Sequence, residues 1–307
     1  MSDFNLHGFD LFGEQIKPKA SGPVAEKFTF SPFSVLDARQ GEWQERKRQW
    51  ISVGIQSELG RENGSTFGSG LGIKLENGEE SRTSIFDPVL CEMAYRWFCP
   101  KNGQIIDPFA GGSVRGIVAG ALGFKYWGCD LREEQIIENK IQKEKLFPNS
   151  NVEWINGDSN VCILNSPKAD FLFSCPPYGD LEVYSDEKDD LSNMSHDEFV
   201  NVYKQIIKKS INQLKDDSFA CFVVGDFRDK KGFYRNFVSN TIEAFELGGA
   251  KLYNEAILVT SVGSASMRVT KQFISGRKFA KTHQNVLIFC KGDWKKASQK
   301  IENGQIK

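Results

Sequence analysis

Seven short apolar runs recur along the chain, QIIDPF, KYWGCD, VEWING, DFLFSC, FACFVVGD, KLYNEAILVT and QNVLIFCKG, each bounded by turn residues and each of strand rather than helix length. Before the first of them and between most of the others the apolar positions return every three or four residues, as in DPVLCEMAYRWF and FVNVYKQIIKKSINQL, which is helical spacing. Alternating strands and helices predict a mostly parallel sheet covered on both faces. The helix after Asp190 is announced by Ser195-His-Asp-Glu198, a capping-box pattern in which hydroxyl and carboxylate satisfy backbone N–H groups reciprocally. A long basic segment, read as a loop, separates the last two runs. The final strand is therefore expected to return antiparallel.

The pattern divides the chain unevenly. Residues 1–80 are rich in Gly, Ser and charge and predict a partly irregular extension wrapping the main domain, with a helix over LDARQGEWQERKRQW (36–50) and a loose stretch over ELGRENGSTFGSGLGIKLENGEE. Residues 81–295 carry the regular pattern, and 296–307 read as a polar tail. A hydrophobic share of 40% in 307 residues is enough for one large core. No apolar run approaches the roughly 20 residues that cross a bilayer, and MSDFNLHGFD lacks the charged and apolar regions of a signal peptide, so a soluble cytoplasmic protein is expected. The 7 cysteines form no CxxC pair and suit reduced thiols, and with only 3 histidines no metal site is expected. The formal net charge of −1 is not that of a protein gripping phosphates all over. Its distribution is more informative: Ser261–Asn285 holds Arg268, Lys271, Arg277, Lys278 and Lys281 without one acid, while Asp180–Glu198 is crowded with carboxylates.

Candidate chemistry gathers where strands end. In FLFSCPPYGD the prolines Pro176 and Pro177 cannot continue a ladder, so the strand stops and a stiff turn holds Cys175, Tyr178 and two carbonyls in fixed directions. The crevice beyond the carboxyl ends of such a sheet is where ligands bind. QIIDPFAGGSVRGIVAG reads as strand, glycine turn and helix, but its spacing is not GxGxxG, and Asp107 at the strand end would repel a pyrophosphate and suit a cationic ligand. Asp130, at the end of the next strand, is placed to accept from ribose hydroxyls, and Asp158 after the third strand to accept from an adenine amine. Each alone also reads as a turn or N-cap residue, and the Pro-Pro turn as packing.

In order, DPFAGG, the acid in WGCDLREEQ, NGDS and CPPY resemble the class I S-adenosylmethionine-dependent methyltransferases, over residues 84–292. Within them the chain is similar to the amino-methyltransferases of adenine N6 and cytosine N4 in DNA, and SCPPYGDLEVYSD with the basic segment resembles methylase-like proteins of phages and prophages. The resemblance implies an α/β, Rossmann-like class I sheet of seven mostly parallel strands with an antiparallel last strand, plus the amino-terminal extension. It implies S-adenosylmethionine as cofactor, held by Asp107, Pro108, Phe109, Gly111 and Gly112 at the methionine end. Asp130 and Leu131 would serve the ribose, Asp158 and Ser159 the adenine, and Phe86 and Asp87 in SIFDPVLCEMAYRWF would close over the methionine. The catalytic group would be Cys175, Pro176, Pro177 and Tyr178, and the setting a bacterial or phage-infected host cell.

The chemistry accounts for that turn. An exocyclic amine is a poor nucleophile because its lone pair is delocalised, and acceptors at the turn could take its hydrogens while Tyr178 stacks on the base. One residue departs from the family: Cys175 stands where Asp, Asn or Ser precedes PPY. A thiol is a weak acceptor, so either the Pro176 carbonyl and a neighbour such as Asp180 do the accepting, or a thiolate adds to cytosine C6 for C5 methylation. RNA methylation or a non-catalytic DNA-binding descendant stays open, as does a nicotinamide oxidoreductase, which would share Asp130 but give CPPY no use. The expected partner is DNA with a flipped-out or single-stranded base, contacted through Lys230, Lys231 and the five cations above. No room exists between the third and fourth strands for a large recognition domain, which implies a short site, a homodimer or a recruiting partner.

Overall fold

The computed structural model describes residues 28–56, 86–178, 194–262 and 265–305, apart from the side chains of Ala265, Arg268 and 302–305. The amino-terminal decapeptide, the loose stretch 58–80 and the acidic segment from Asp180 to Asn193 lie outside them.

All seven apolar runs are strands: β2 Gln104–Asp107, β3 Lys125–Asp130, β4 Val152–Asn156, β5 Ala169–Ser174, β6 Leu214–Val224, β7 Ala250–Val259 and β8 His283–Lys291. An eighth, β1 Val35–Asp37, precedes them, and the single sheet has the order β1-β7-β8-β6-β5-β2-β3-β4. Strands β2 to β6 pair in parallel, while β8 runs antiparallel between β6 and β7. This is the mostly parallel α/β sheet with the reversed last strand that the pattern predicts. The strand count needs correcting from seven to eight, because Val35–Asp37 pairs with Ile257–Val259 of β7 instead of opening a helix. That helix starts later, as α1 Gly41–Ser52.

The remaining helices are α2 Pro88–Phe98, α3 Val114–Ala121, α4 Glu133–Leu146, the short α5 Ser159–Cys162, α6 His196–Gln213, α7 Phe237–Leu247, α8 Ala265–Gly276 and α9 Trp294–Gln305. Helix α6 has the full capping box between Ser195 and Glu198. Helix α8 is the second correction: the basic segment is not one loop. No proline or glycine interrupts Ala265–Ser275, Met267, Lys271 and Gln272 favour helix, and the helix stops at Gly276, after which Arg277 takes a positive φ of 51°.

Strand alternation sorts the core onto two faces. Ile105, Phe171, Phe173, Phe219 and Cys221 point to one, where α1, α2 and α3 pack; Ile106, Leu172, Ala220 and Phe222 point to the other, under α6 and α7. Burying each such phenylalanine stabilises the fold by roughly 1.5–3 kcal/mol. The extension is fastened by charge as well. Glu92 of α2 is fully buried and accepts from Arg46 Nη2 at 2.6 Å and Nε at 2.8 Å, from Trp50 Nε1 at 2.8 Å, and from Arg96 Nε at 3.0 Å. Among the described residues no helix is long and apolar enough to cross a membrane, and no group of three or more His, Cys, Asp or Glu is placed to hold a metal ion.

Candidate functional site at the carboxyl ends of the strands

The parallel register brings the ends of β2, β3, β4 and β5 to one edge of the sheet, and with them DPFAGG, WGCD, NGDS and CPPY. After Asp107 the backbone reverses through Pro108–Gly112 into α3. Gly111 adopts φ +50°, a conformation costly for most side chains, and this turns its N–H onto Asp130 Oδ2 at 2.8 Å. Farther along, a side chain on Gly116 would lie 2.3 Å from the Trp154 ring, so this glycine lets α3 sit down on β4.

Asp107 is fully buried, and its acceptors are used within the chain. Arg115 Nε donates to it at 2.5 Å, Tyr126 Oη at 2.7 Å, Ser174 Oγ at 2.5 Å and the Phe109 N–H at 3.2 Å. Arg115 also donates to the carbonyls of Phe109 and Ala110, the latter at 2.8 Å, and its guanidinium stands over the Phe86 ring at 4.9 Å. Burial opposes the Arg115 charge, but the adjacent Asp107 carboxylate raises its pKa above the ordinary arginine value. The direct ligand contact expected of Asp107 therefore meets a position already taken by Arg115. Asp107 organises the loop from below instead. Phe109 is likewise core, packed against Tyr203 and Phe222.

Asp130 and Asp158 are differently disposed. Asp130 is half-buried, and besides Gly111 it accepts the Arg132 N–H on Oδ1 at 3.1 Å, so each oxygen takes one backbone hydrogen of the roughly four that a carboxylate can accept. Asp158, also half-buried, caps α5 by accepting from the Asn160 N–H at 2.8 Å, while Ser159 donates to the Pro108 carbonyl and ties the β4 end to the glycine loop. Asp87 caps α2 through the Val89 N–H at 2.9 Å and accepts from Trp43 Nε1 and Lys47 Nζ, both at 3.2 Å. Its carboxylate thus joins the extension to the site.

At the end of β5, Pro176 is buried, and Cys175, Pro177 and Tyr178 are half-buried. The Tyr178 ring is held edge-on by Phe227 and Phe237, each 6.0 Å away, and its hydroxyl accepts from Gln284 Nε2 at 3.0 Å. Asp180 lies outside the described residues. The segment carrying Lys230 and Lys231 and the one carrying Lys278 adjoin, since a side chain on Gly232 would meet Lys278 Nζ at 2.5 Å. A side chain on Gly225 would touch Lys281 Nζ at 3.6 Å and the Tyr178 hydroxyl at 3.7 Å, which places Lys281 beside the turn. Burial depresses the Lys281 pKa, against the opposing charge of Asp226. Lys271 and Arg277 are exposed, and the side chain of Arg268 is not described.

Several residues of the site escaped the sequence reading. Arg115 was legible in principle, as a lone cation in the apolar helix VRGIVAG. Gln135, Asn139 and Gln142 form a buried polar stripe along α4 that supports the loop: Asn139 Nδ2 donates to the Gly111 carbonyl at 2.8 Å, and Gln142 Oε1 accepts from Ser113 Oγ at 3.0 Å and from the Gln56 N–H at 2.9 Å.

No protein-family model matches the chain. A stretch of 104 residues, 34% of the chain, is 24% identical to the type II methyltransferase M.SfiI of Streptomyces fimbriatus, a weak similarity that spans 25% of that protein's length. Among solved structures the chain is similar to TrmN from Thermus thermophilus (12% identity, TM-score 0.47, 67% of this chain and 49% of that one). It is similar also to a methyltransferase from Pyrococcus furiosus (16%, TM-score 0.42, 68% and 84%). A third likeness is to magnesium protoporphyrin IX methyltransferase from Synechocystis with bound SAM (11%, TM-score 0.40, 63% and 71%). At these scores the fold assignment rests on the strand order and directions described above.

Proposed function

We propose that the chain is an S-adenosylmethionine-dependent methyltransferase that modifies a base of DNA at an exocyclic amine, cytosine N4 or adenine N6. The observation that carries this reading is the meeting of Asp130, Asp158 and the Cys175–Tyr178 turn along one edge of the sheet, around a glycine loop braced by Asp107 and Arg115. The donor set fits the cofactor: Asp130 has accepting capacity left for ribose hydroxyls, Asp158 lies one strand farther for the adenine amine, and Phe86 with Pro108–Gly112 borders the methionine end. When bound, S-adenosylmethionine supplies a sulfonium methyl group. The chain's own part is orientation. The Pro176 carbonyl is the main acceptor for the amine hydrogens, because the Cys175 thiol accepts only weakly, Tyr178 lies against the base, and the core-packed turn keeps these groups in place without reorganisation. DNA as the substrate is supported by the similarity to M.SfiI and by the cations beside the turn.

A second reading has one observation in its favour. A half-buried free thiol, Cys175, stands at the end of β5 beside the turn, and C5 methylation needs a cysteine nucleophile. That thiol precedes Pro176 instead of following a proline, which favours the amine reading. Incubation of the protein with S-adenosylmethionine and DNA, followed by mass spectrometry of the nucleosides, decides between them. N4-methylcytosine or N6-methyladenine supports the proposal, 5-methylcytosine replaces it by the thiolate route, and cofactor binding without any product leaves a binding protein.

A further inference from the structure

The surface next to the Tyr178 turn interleaves exposed rings with cations. Phe279, 77% exposed, pairs with Phe273 of α8 at 5.7 Å between centroids, and the Arg277 guanidinium stands 5.3 Å from the Phe273 ring. Lys278 reaches across to Gly232. Immediately after Gly232 come Phe233, 72% exposed, and Tyr234, over whose ring Arg228 lies at 4.0 Å. Lys281 and the Tyr178 hydroxyl both border Gly225, which brings the basic segment to the turn.

Cations alone would suit any polyanion, but exposed aromatic rings narrow the choice. A duplex offers its phosphates and hides the faces of its bases, so it would satisfy Lys278 and Arg277 and leave Phe233 and Phe279 in water. An unpaired strand offers phosphates and open base faces together, and stacking on aromatic side chains together with a basic track is how such strands are held. We infer, resting on the DNA-base reading above, that this surface binds single-stranded DNA, with bases stacked on Phe233 and Phe279 and phosphates on Arg277, Lys278 and Lys281. The target base then reaches Tyr178 from a strand that is already unpaired, and the energy of flipping it from a duplex is not required.

Fluorescence anisotropy with the full chain and a labelled oligodeoxynucleotide, its duplex and the RNA of the same sequence tests the inference. The single strand should bind at least about tenfold more tightly than the duplex; Phe233→Ala and Phe279→Ala should each weaken it about tenfold at unchanged salt slope. Lys278→Ala should reduce the slope by about 0.7. Duplex binding as tight as single-strand binding, or ring variants that bind like the parent, would overturn it, and so would RNA bound more tightly than DNA. Calorimetric titration of the same proteins with S-adenosylmethionine keeps the two readings apart. Single-strand binding without cofactor binding ends the methyltransferase reading and leaves this surface standing, whereas the reverse result ends only the surface.

Discussion

Gln284 of β8 donates a hydrogen bond from Nε2 to the hydroxyl of Tyr178 at 3.0 Å, and so the reversed strand steers the turn at the end of β5. Phe227 and Phe237 confine the ring from its edges, and this bond selects its direction. Gln284→Leu should leave folding within about 1 kcal/mol, the net value of a neutral hydrogen bond, and leave cofactor affinity unchanged. It should lower kcat about tenfold or more by misplacing the base. Tyr178→Phe removes the same bond, so the double variant should be no slower than the worse single one. Additive losses in the steady-state rates would show that the two residues act separately.

The Asp107–Arg115 pair is wholly buried, and each partner compensates the other's desolvation. Asp107→Asn and Arg115→Met should each destabilise the fold by about 3–5 kcal/mol, because each leaves a buried charge unpaired. The double variant should recover much of that loss. Urea denaturation at neutral pH measures all three, and a fully additive double variant would contradict the pairing. A weakened cofactor affinity in Asp107→Asn is expected as a consequence of the displaced glycine loop.

This pair also marks the limit of what the sequence discloses. Seven strands were legible because runs such as DFLFSC are mostly apolar and are bounded by turn residues such as Pro108 and Pro176, which have no N–H to give a ladder. The ligand-facing edge followed from their order. The partners of Asp107 come from α3, β3 and β5, and no local pattern marks long-range pairing, so a strand-end acid looked available when it was enclosed. The polar stripe Gln135, Asn139 and Gln142 has the helical spacing of a solvated face, and only the packing of α4 over the glycine loop reveals it as interior. Strand β1 is three residues long, too short for alternation to show, and α8 exposes apolar side chains such as Met267 and Ile274, so its periodicity did not report a buried face.

Glu92 gives the fold an acid limit. Burial pushes its carboxyl pKa up, but the hydrogen bonds and charge of Arg46, with Arg96 and Trp50, bring it below the ordinary glutamate value. A folded pKa below the unfolded value means that the stabilisation is complete above about pH 4.3, the unfolded value, and is lost as pH falls through the folded one. Glu92→Gln should be less stable at neutral pH and should lose less on acidification, so the two curves converge below pH 4 or so. Thermal melts across that range check the sign. Parallel curves would place the acid sensitivity elsewhere.

Asp130 and Asp158 at the strand ends each have accepting capacity beyond their backbone partners. Asp130→Asn and Asp158→Asn should each weaken S-adenosylmethionine by about 10- to 100-fold, the value of one charge-assisted hydrogen bond of roughly 1.5–3 kcal/mol. Asp130→Asn should show the larger loss, because an asparagine there can also turn its amide N–H groups toward the Gly111 N–H and loosen the loop. Calorimetric affinities equal to the parent's in both folded variants would mean that the cofactor site is misplaced.

Cys175 divides the two chemistries. Amine methylation asks only for an acceptor beside the Pro176 carbonyl, whereas C5 methylation needs a thiolate that forms a bond to cytosine C6 and is later eliminated. A serine hydroxyl is a better acceptor than a thiol and a far weaker nucleophile at neutral pH. Cys175→Ser should therefore keep or increase methyl transfer, and DNA containing 5-fluorocytosine should leave the parent protein unmodified on a denaturing gel. The half-buried thiol is wedged against the core face that holds Phe173 and Cys221, so the serine fits without a cavity. An adduct that survives denaturation in the parent and vanishes in Cys175→Ser would establish attack by sulfur and retire the amine mechanism.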